Sequence, residues 1–315
     1  MESTKVNTPS FRLPYFDLAK GVCILLVVFY HLQEAYEVTL PSDRFLLLVR
    51  MPLYYFLSGF FFKEYDGYVS FVGKKVKRLF IPFLFFYLLT SVLLPILANR
   101  LMGISFGTGN DWNLLYAFLT YADYPNIPLW FLWALFLLNL LFYPLHSYCR
   151  SLPLLGFICL ILSCTLGNFS PITLPASLNR MFDGLLFFYL GYIFRFLFAD
   201  SFQKWYHATA FIILFFLIGL WIPENVALLL LQHYVGGLLG IVGLVLICRK
   251  IGHLPYISYL GRYSIMVLVT HEPLIRLLHI IHVPHILLAF GILLLLYPFL
   301  IPLMRRYLPY VTAQK

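Results

Sequence analysis

The first long apolar segment of the chain carries four ionisable residues: Asp17, Lys20, His31 and Glu34. With about 3.6 residues per helical turn, all four fall on one face roughly 100° wide. Ionisable side chains in such segments are costly and are therefore candidates for function. A histidine there can act as a general base, and Glu34, nearly one turn further on, can orient its imidazole. A buried histidine bonded only to a backbone carbonyl is the structural alternative.

A later apolar segment has the same character. Ser264, His271, Glu272 and Arg276 fall on one side of a helical projection. His31 and His271 could meet at similar depth if the two helices are neighbours. Glu272 and Arg276, four residues apart, could equally form a structural ion pair. His279, His282 and His285 follow, but Pro284 breaks their helical spacing and no carboxylate joins them, so we predict an interfacial cluster and no metal site.

The composition of the chain indicates that these apolar segments lie in a membrane. Of 315 residues, 62% are apolar and only 11% are charged, and the mean hydropathy is +0.87. Soluble domains are about half apolar and a quarter charged, so a soluble enzyme, a DNA-binding protein and a disordered scaffold are excluded. The net charge of +9 is interpreted as the excess of Lys and Arg in cytoplasmic loops, and no nucleic-acid partner is expected. The five cysteines form no CxxC pair, so neither disulfides nor metal ligands are inferred from them.

Runs of about 20 apolar residues predict the membrane spans. With the N-terminus inside, 16 of the 22 basic residues flank inner ends and five flank outer ends, while Lys20 lies within the first span. We therefore predict an all-α, polytopic transmembrane bundle that forms a single domain over residues 1–315, with both termini cytoplasmic. About ten spans are expected: 13–36, 44–63, 78–98, 128–148, 152–168, 178–199, 207–222, 226–248, 258–281 and 284–305.

One predicted inner loop, residues 63–78, is strongly basic. It contains Lys63, Lys74, Lys75, Lys77 and Arg78. These charges can serve the positive-inside signal and contact anionic lipid headgroups. They can equally bind the phosphates of a nucleotide-bearing cosubstrate from the cytosol. The charges alone do not separate the two interpretations.

Several short motifs together resemble the acyltransferase 3 family of integral membrane acyltransferases. The stretch from Asp17-Leu18-Ala19-Lys20-Gly21 to His31 resembles the opening motif of the family, and residues 51–61 resemble its MPLFFFLSGF segment. Further matches are Lys75-Val76-Lys77-Arg78 before Pro82, Trp130-Phe131-Leu132, Gly261-Arg262-Tyr263-Ser264 and His271-Glu272-Pro273. Lys20 and Lys75 stand where the family usually has Arg. Lysine keeps the positive charge but lacks the planar guanidinium that binds phosphate through two hydrogen bonds. Arg50 takes a place often held by His.

The resemblance implies transfer of an acyl group, commonly acetyl from acetyl-CoA, to a hydroxyl of a cell-surface polysaccharide or glycolipid. His31 would be the catalytic base, or would transiently carry the acyl group, and Glu34 would orient it. Lys20, Lys75 and Arg78 would contact CoA phosphates. Arg50, Trp130, His271 and Glu272 would lie on the acceptor side. No resident cofactor is expected, and no fused extracytoplasmic domain.

Other functions use the same residues. A transporter or flippase for a lipid-linked glycan or an acyl donor would use the polar faces as a translocation path. A non-catalytic scaffold in a glycan-assembly complex is a third hypothesis. The expected partners are acyl-CoA, a glycan or lipid-linked sugar, membrane lipids and glycan-assembly proteins. The expected location is the cell membrane, with multiple passes.

Overall fold

A computed structural model describes residues 13–103, 126–149, 151–169, 172, 174–197, 202 and 204–312. The connection between the predicted spans 78–98 and 128–148, residues 99–127, is long enough to hold an interfacial or re-entrant segment. Most of it lies outside the described residues. Every regular element in the described ranges is helical. The first helices are α1 (Pro14–Ala35), α2 (Asp43–Arg50), α3 (Pro52–Phe60), α4 (Tyr68–Lys75), α5 (Ile81–Phe86) and α6 (Leu94–Met102). The later helices are α7 (Trp130–Tyr148), α8 (Leu152–Leu166), α9 (Ala176–Leu197), α10 (Trp205–Leu220), α11 (Val226–Leu231), α12 (Gly237–Ile251), α13 (Pro255–Arg262), α14 (Ser264–Ile280) and α15 (Ile286–Tyr307).

Five continuous helical stretches in the described part of the chain are long and apolar enough to cross a membrane. They are Pro14–Ala35, Tyr68–Leu101, Ile127–Tyr148, Val226–Ile251 and Ile286–Tyr307. Leu152–Leu166 and Trp205–Leu220 are shorter apolar helices. The helical class predicted from the sequence is therefore confirmed, while the ten spans and the cytoplasmic termini stay predictions.

Two of the predicted spans are divided in the structure. The 44–63 span consists of α2 and α3, which meet at Met51 before Pro52. The 258–281 span consists of α13 and α14, which meet at Tyr263, where φ is −111° and ψ is 27°. Pro52 has no N–H to continue the hydrogen-bond ladder of α2. A single arginine stands beside each break, Arg50 at the first and Arg262 at the second, but the segments on either side are apolar, so hydropathy alone does not reveal the breaks.

Three π-helical segments interrupt longer helices: Val76–Phe80, Tyr87–Leu93 and Gln232–Gly236. Pro82 and Pro95 follow the first two. A proline cannot donate to the carbonyl four residues earlier, and its ring clashes with that carbonyl. That carbonyl lies within the π segment in both cases, so the wider turn accommodates the proline. The third segment precedes Gly237 and has no such proline, and π turns of this kind are frequent at functional sites.

Helix α1 is the central helix of the bundle and packs against α2, α3 and α12 to α15. It touches α13 backbone to backbone. A Cβ on Gly21 would lie 1.9 Å from the carbonyl oxygen of Ile257, and one on Gly261 would lie 1.8 Å from that of Asp17. Both glycines belong to the motifs found in the sequence, so those motifs have a packing role in addition to any chemical one.

Helices α1 and α14 run side by side in the same direction. Gly21 meets α13 just before α14 begins. Further along, the rings of His31 and His271 are in contact, and the Tyr36 hydroxyl after α1 donates to the carbonyl of Val283 after α14, at 2.9 Å. The polar faces of the two helices are therefore brought together at one depth.

Candidate active site

His31 and Glu34 form the centre of the candidate site. Nδ1 of His31 lies 2.7 Å from Oε2 of Glu34, one helical turn further along α1. The His31 side chain is 11% exposed and that of Glu34 is 49% exposed. Because a carboxylate only accepts hydrogen bonds, Nδ1 carries the proton in this pair and Nε2 carries the basic lone pair. The arrangement suits general-base chemistry at Nε2.

Glu272 connects this pair to α14. Its Oε2 lies 3.9 Å from Nδ1 of His31, and its Oε1 accepts a hydrogen bond of 2.9 Å from Nε of Arg276. The ion pair considered from the sequence is therefore present, and the same carboxylate also faces the imidazole. Two carboxylates thus surround Nδ1 and would stabilise a proton taken up by the ring.

His271 lies beside His31, with ring centroids 5.2 Å apart. It is completely buried, and its Nδ1 donates to the carbonyl of Val267 at 2.9 Å. Its Nε2 is buried and has no hydrogen-bond partner among the described residues. Buried polar atoms are rarely left unbonded, so this nitrogen is available to accept a hydrogen bond from a bound molecule.

Arg50 is a buried cation that contacts Tyr30, the residue before His31. It is 6% exposed, and its guanidinium lies 3.6 Å from the ring centre of Tyr30. Its NH1 atom is buried without a hydrogen-bond partner within the described ranges. A guanidinium stacked in this way is held rigidly and can bind an anion or a developing oxyanion.

Lys20 lies at the opposite end of α1. It lines a cavity of about 220 Å³ together with Leu13, Phe16, Asp17 and Phe61, and its Nζ lies 5.0 Å from the ring centre of Phe61. Lys75 is half-buried with its Nζ 5.1 Å from the ring centre of Phe71, and Arg78 is exposed in the first π segment. The structure therefore places these cations away from the His31 pair.

Trp130 begins α7, and the guanidinium of Arg180 lies 4.5 Å from its ring centre. Asn126, just before that helix, donates to the carbonyl of Val269 at 3.0 Å and to the Thr90 hydroxyl at 2.8 Å. These bonds hold the start of α7 against α14 two residues before His271. Trp130 is thus near the candidate site, but in the described ranges its ring contacts Phe131 and Arg180 and not His31.

The sequence reasoning missed a buried pair formed by Asp183 and His233. Oδ1 of Asp183 lies 3.2 Å from Nε2 of His233, and the side chains are 10% and 7% exposed. Asp183 lies on α9, whereas His233 lies in the third π segment. The signal that could have found them is an ionisable residue within each of two predicted spans, 178–199 and 226–248.

His279 lies in the last turn of α14, and His282 and His285 follow that helix. No group of three or more possible metal ligands is found in the described part of the chain. The His279 ring instead contacts the ring of Tyr36, with centroids 6.1 Å apart.

A family model, Acyl_transf_3, described as an acyltransferase domain, matches residues 13–305. No curated protein matches the chain, and no solved structure matches it. The match covers the whole candidate site and nearly all of the sequence. Together with the apolar helices it indicates a multi-pass membrane acyltransferase. The chain belongs to the acyltransferase 3 family.

Proposed function

We propose that this acyltransferase transfers an acyl group, acetyl in the simplest case, from acyl-CoA to a hydroxyl of a cell-surface polysaccharide or glycolipid. The observation that carries the proposal is the His31–Glu34 pair, with Nδ1 bound and Nε2 left as the base. The proposed location is the cell membrane, and the partners are membrane lipids and glycan-assembly proteins.

The proposed reaction needs one proton transfer in each direction. Nε2 of His31 accepts the proton of the acceptor hydroxyl while the oxygen of that hydroxyl attacks the thioester carbonyl carbon. The C–O bond forms, the C–S bond breaks, and the thiolate of CoA takes the proton back from His31. Glu34 and Glu272 stabilise the imidazolium between these steps.

Roles for the other residues follow from their placement. Lys20, Lys75 and Arg78 bind the CoA phosphates, because their charges lie at the end of the bundle that the sequence predicts to be cytoplasmic. Arg50 stabilises negative charge on the thioester oxygen. Trp130, His271 and Glu272 contact the acceptor, and the unbonded Nε2 of His271 accepts a hydrogen bond from one of its hydroxyls. No resident cofactor is needed.

The test uses purified protein with radiolabelled acetyl-CoA and the surface glycan of the source cell. We expect His31→Ala to lose transfer by about 10²- to 10⁴-fold, the usual contribution of a general base. His253→Ala, at an exposed position, is the matched control and should keep full activity. A well-folded His31→Ala variant with normal transfer would overturn the proposal.

Two other outcomes separate the remaining hypotheses. A labelled protein in the absence of acceptor would identify an acyl-histidine intermediate. Movement of a lipid-linked glycan across vesicles without acyl transfer would identify a transporter instead.

A further inference from the structure

An apolar groove lies between α14 and the helices that carry the second π segment and α6. Its volume is about 330 Å³. One wall is formed by Thr90, Leu94 and Ala98, and the other by Pro273, Leu277 and Ile280. Arg276 is the only charged residue among the described lining residues. A groove of this kind matches a hydrocarbon chain that ends in a single anionic group.

The groove lies on the perimeter of the bundle. Leu94 and Leu277, one on each wall, are 42% and 52% exposed. In a membrane-spanning bundle these side chains face lipid, so a chain can enter the groove sideways from the bilayer. Entry from the aqueous phase is not required.

The depth of Arg276 fits a lipid phosphate. Placed end to end, α13 and α14 would extend about 39 Å at 1.5 Å per residue, and the hydrocarbon core is about 30 Å thick. If the two helices are centred, about 5 Å projects beyond the core on each side. Arg276 lies four residues, or about 6 Å, before the end of α14. It is therefore close to the level where hydrocarbon meets headgroups, on the side that the charge pattern predicts to be outer.

The direction of the groove agrees with this depth. Along α14 the lining residues run from Pro273 to Ile280, with Arg276 between them, and the facing wall runs from Thr90 to Ala98. The part from Arg276 to Pro273 and Thr90 extends toward the middle of the membrane, and the part along Leu277 and Ile280 extends toward the predicted outer surface. A lipid of the outer leaflet has the same orientation, with its phosphate at the surface and its chain pointing inward.

Arg276 is also connected to the candidate site. Its Nε is bonded to Glu272, whose other oxygen faces His31. The two terminal nitrogens of the guanidinium carry four further N–H donors, which suit phosphate oxygens. Glu272 would then be the only side chain between the Arg276 that holds the phosphate and His31 in this series of contacts.

We propose that the groove binds the chain of a phosphate-linked lipid, and that this lipid carries the hydroxyl that is acylated. The second clause rests on the function proposed above. The acyl chain of the donor is a poorer occupant, because it has no anionic group for Arg276 and because the donor enters from the opposite end. The acceptor is therefore a sugar that is already attached to its lipid when it is acylated.

The test measures binding without any acyl donor. Full-length protein in detergent is titrated with dodecyl phosphate, and occupancy is read by native mass spectrometry. Dodecanol tests the contribution of the chain alone, and inorganic phosphate tests that of the anion alone. Leu94→Trp fills the groove. Leu160→Trp, at a position of α8 with the same 42% exposure, is the matched control.

We expect one dodecyl phosphate per protein, bound at least tenfold more tightly than dodecanol or inorganic phosphate. Leu94→Trp should weaken it at least tenfold and Leu160→Trp should not. Arg276→Gln should remove the preference for dodecyl phosphate over dodecanol. Equal binding to the two Trp variants, or no preference for the phosphate, would overturn the proposal. Since no step involves CoA, failure here is distinct from failure of the acyl-transfer chemistry.

Discussion

Nδ1 of His31 lies 2.7 Å from Oε2 of Glu34, which fixes the imidazole with Nε2 as its basic nitrogen. A histidine bonded through Nδ1 to a backbone carbonyl would have the same tautomer but no negative charge behind it. The charge matters because the ring must hold a proton during transfer.

Replacing Glu34 by Gln tests this relationship. The amide keeps the size of the side chain but removes its charge, so the imidazolium is less stable. We expect kcat to fall by about tenfold or more, a part of the roughly 10²- to 10⁴-fold that general-base catalysis supplies, with a smaller change in KM. The measurement is steady-state transfer from acetyl-CoA.

Glu37→Gln, three residues further on and exposed, is the matched control and should change kcat little. If Glu34→Gln is as active as Glu37→Gln, while Glu272→Gln is impaired, then Glu272 is the carboxylate that orients His31.

Removing the charge of Lys75 or Arg78 tests the donor site. Charge-assisted hydrogen bonds to phosphate contribute about 1.5–3 kcal/mol each, so each Gln variant should raise the KM for acetyl-CoA by roughly tenfold or more. The increase should be smaller for a donor that lacks the 3′-phosphate if these residues bind that group. Lys250→Gln, also at a predicted cytoplasmic position, serves as the control. Equal KM values for all three variants would show that Lys75 and Arg78 do not bind CoA, and would favour a role in membrane topology or in contact with lipid headgroups.

Adding one methyl group at the contact of α1 and α13 should separate the helices. In Gly261→Ala the new Cβ would lie 1.8 Å from the carbonyl oxygen of Asp17. Overpacking typically costs about 1–3 kcal/mol, occasionally more, and the backbone atom cannot move aside like a side chain. We expect a lower Tm in detergent and loss of transfer.

Gly291→Ala is the matched control, because a Cβ there meets nothing within 4 Å. Alanine favours a helix interior over glycine by about 1 kcal/mol, so this variant should be unchanged or slightly more stable. A Gly261→Ala variant with unchanged Tm would contradict the close approach of the two helices.

The Asp183–His233 pair should be coupled in stability. Removing His233 leaves the Asp183 carboxylate buried without the imidazole that lies 3.2 Å from it, and a buried polar group left without its partner typically costs about 1–3 kcal/mol. We expect His233→Leu to lower the Tm clearly, and the double variant Asp183→Leu/His233→Leu to recover much of the loss. The double-mutant cycle, measured by thermal unfolding, would show additive effects if the two side chains do not interact.

The polar faces of the predicted first and ninth spans were visible in the sequence because helical periodicity is local. Asp17, Lys20, His31 and Glu34 define their face by spacing alone. That α1 and α14 are neighbours was not visible, because nothing in the spacing of one helix specifies its partner. Gly21 and Gly261 lie at the contact of α1 with α13, just before α14, but their place in the sequence does not say which helix each of them meets.

The pair of Asp183 and His233 could not be found in the same way. His233 is the only histidine or charged residue of the predicted 226–248 span, so it forms no stripe, and Asp183 is one turn from Arg180, at the end of the predicted 178–199 span. His233 also lies in a π segment, where the wider turn changes which face a residue occupies.

The charges of the 63–78 loop did not decide between lipid headgroups and CoA phosphates, because both ligands are anionic.

The contact between α1 and α14 has a consequence for biosynthesis. The hydrogen bond from Tyr36 to Val283 joins residues 247 positions apart. At about 5–20 residues per second, the ribosome needs on the order of 10–50 s to make the intervening chain. During this interval α1 lies in the membrane with His31 and Glu34 but without Glu272 and Arg276. The first helix must therefore be inserted and retained on its own hydrophobicity, and a nascent chain stopped before α14 would expose those polar groups to membrane quality control.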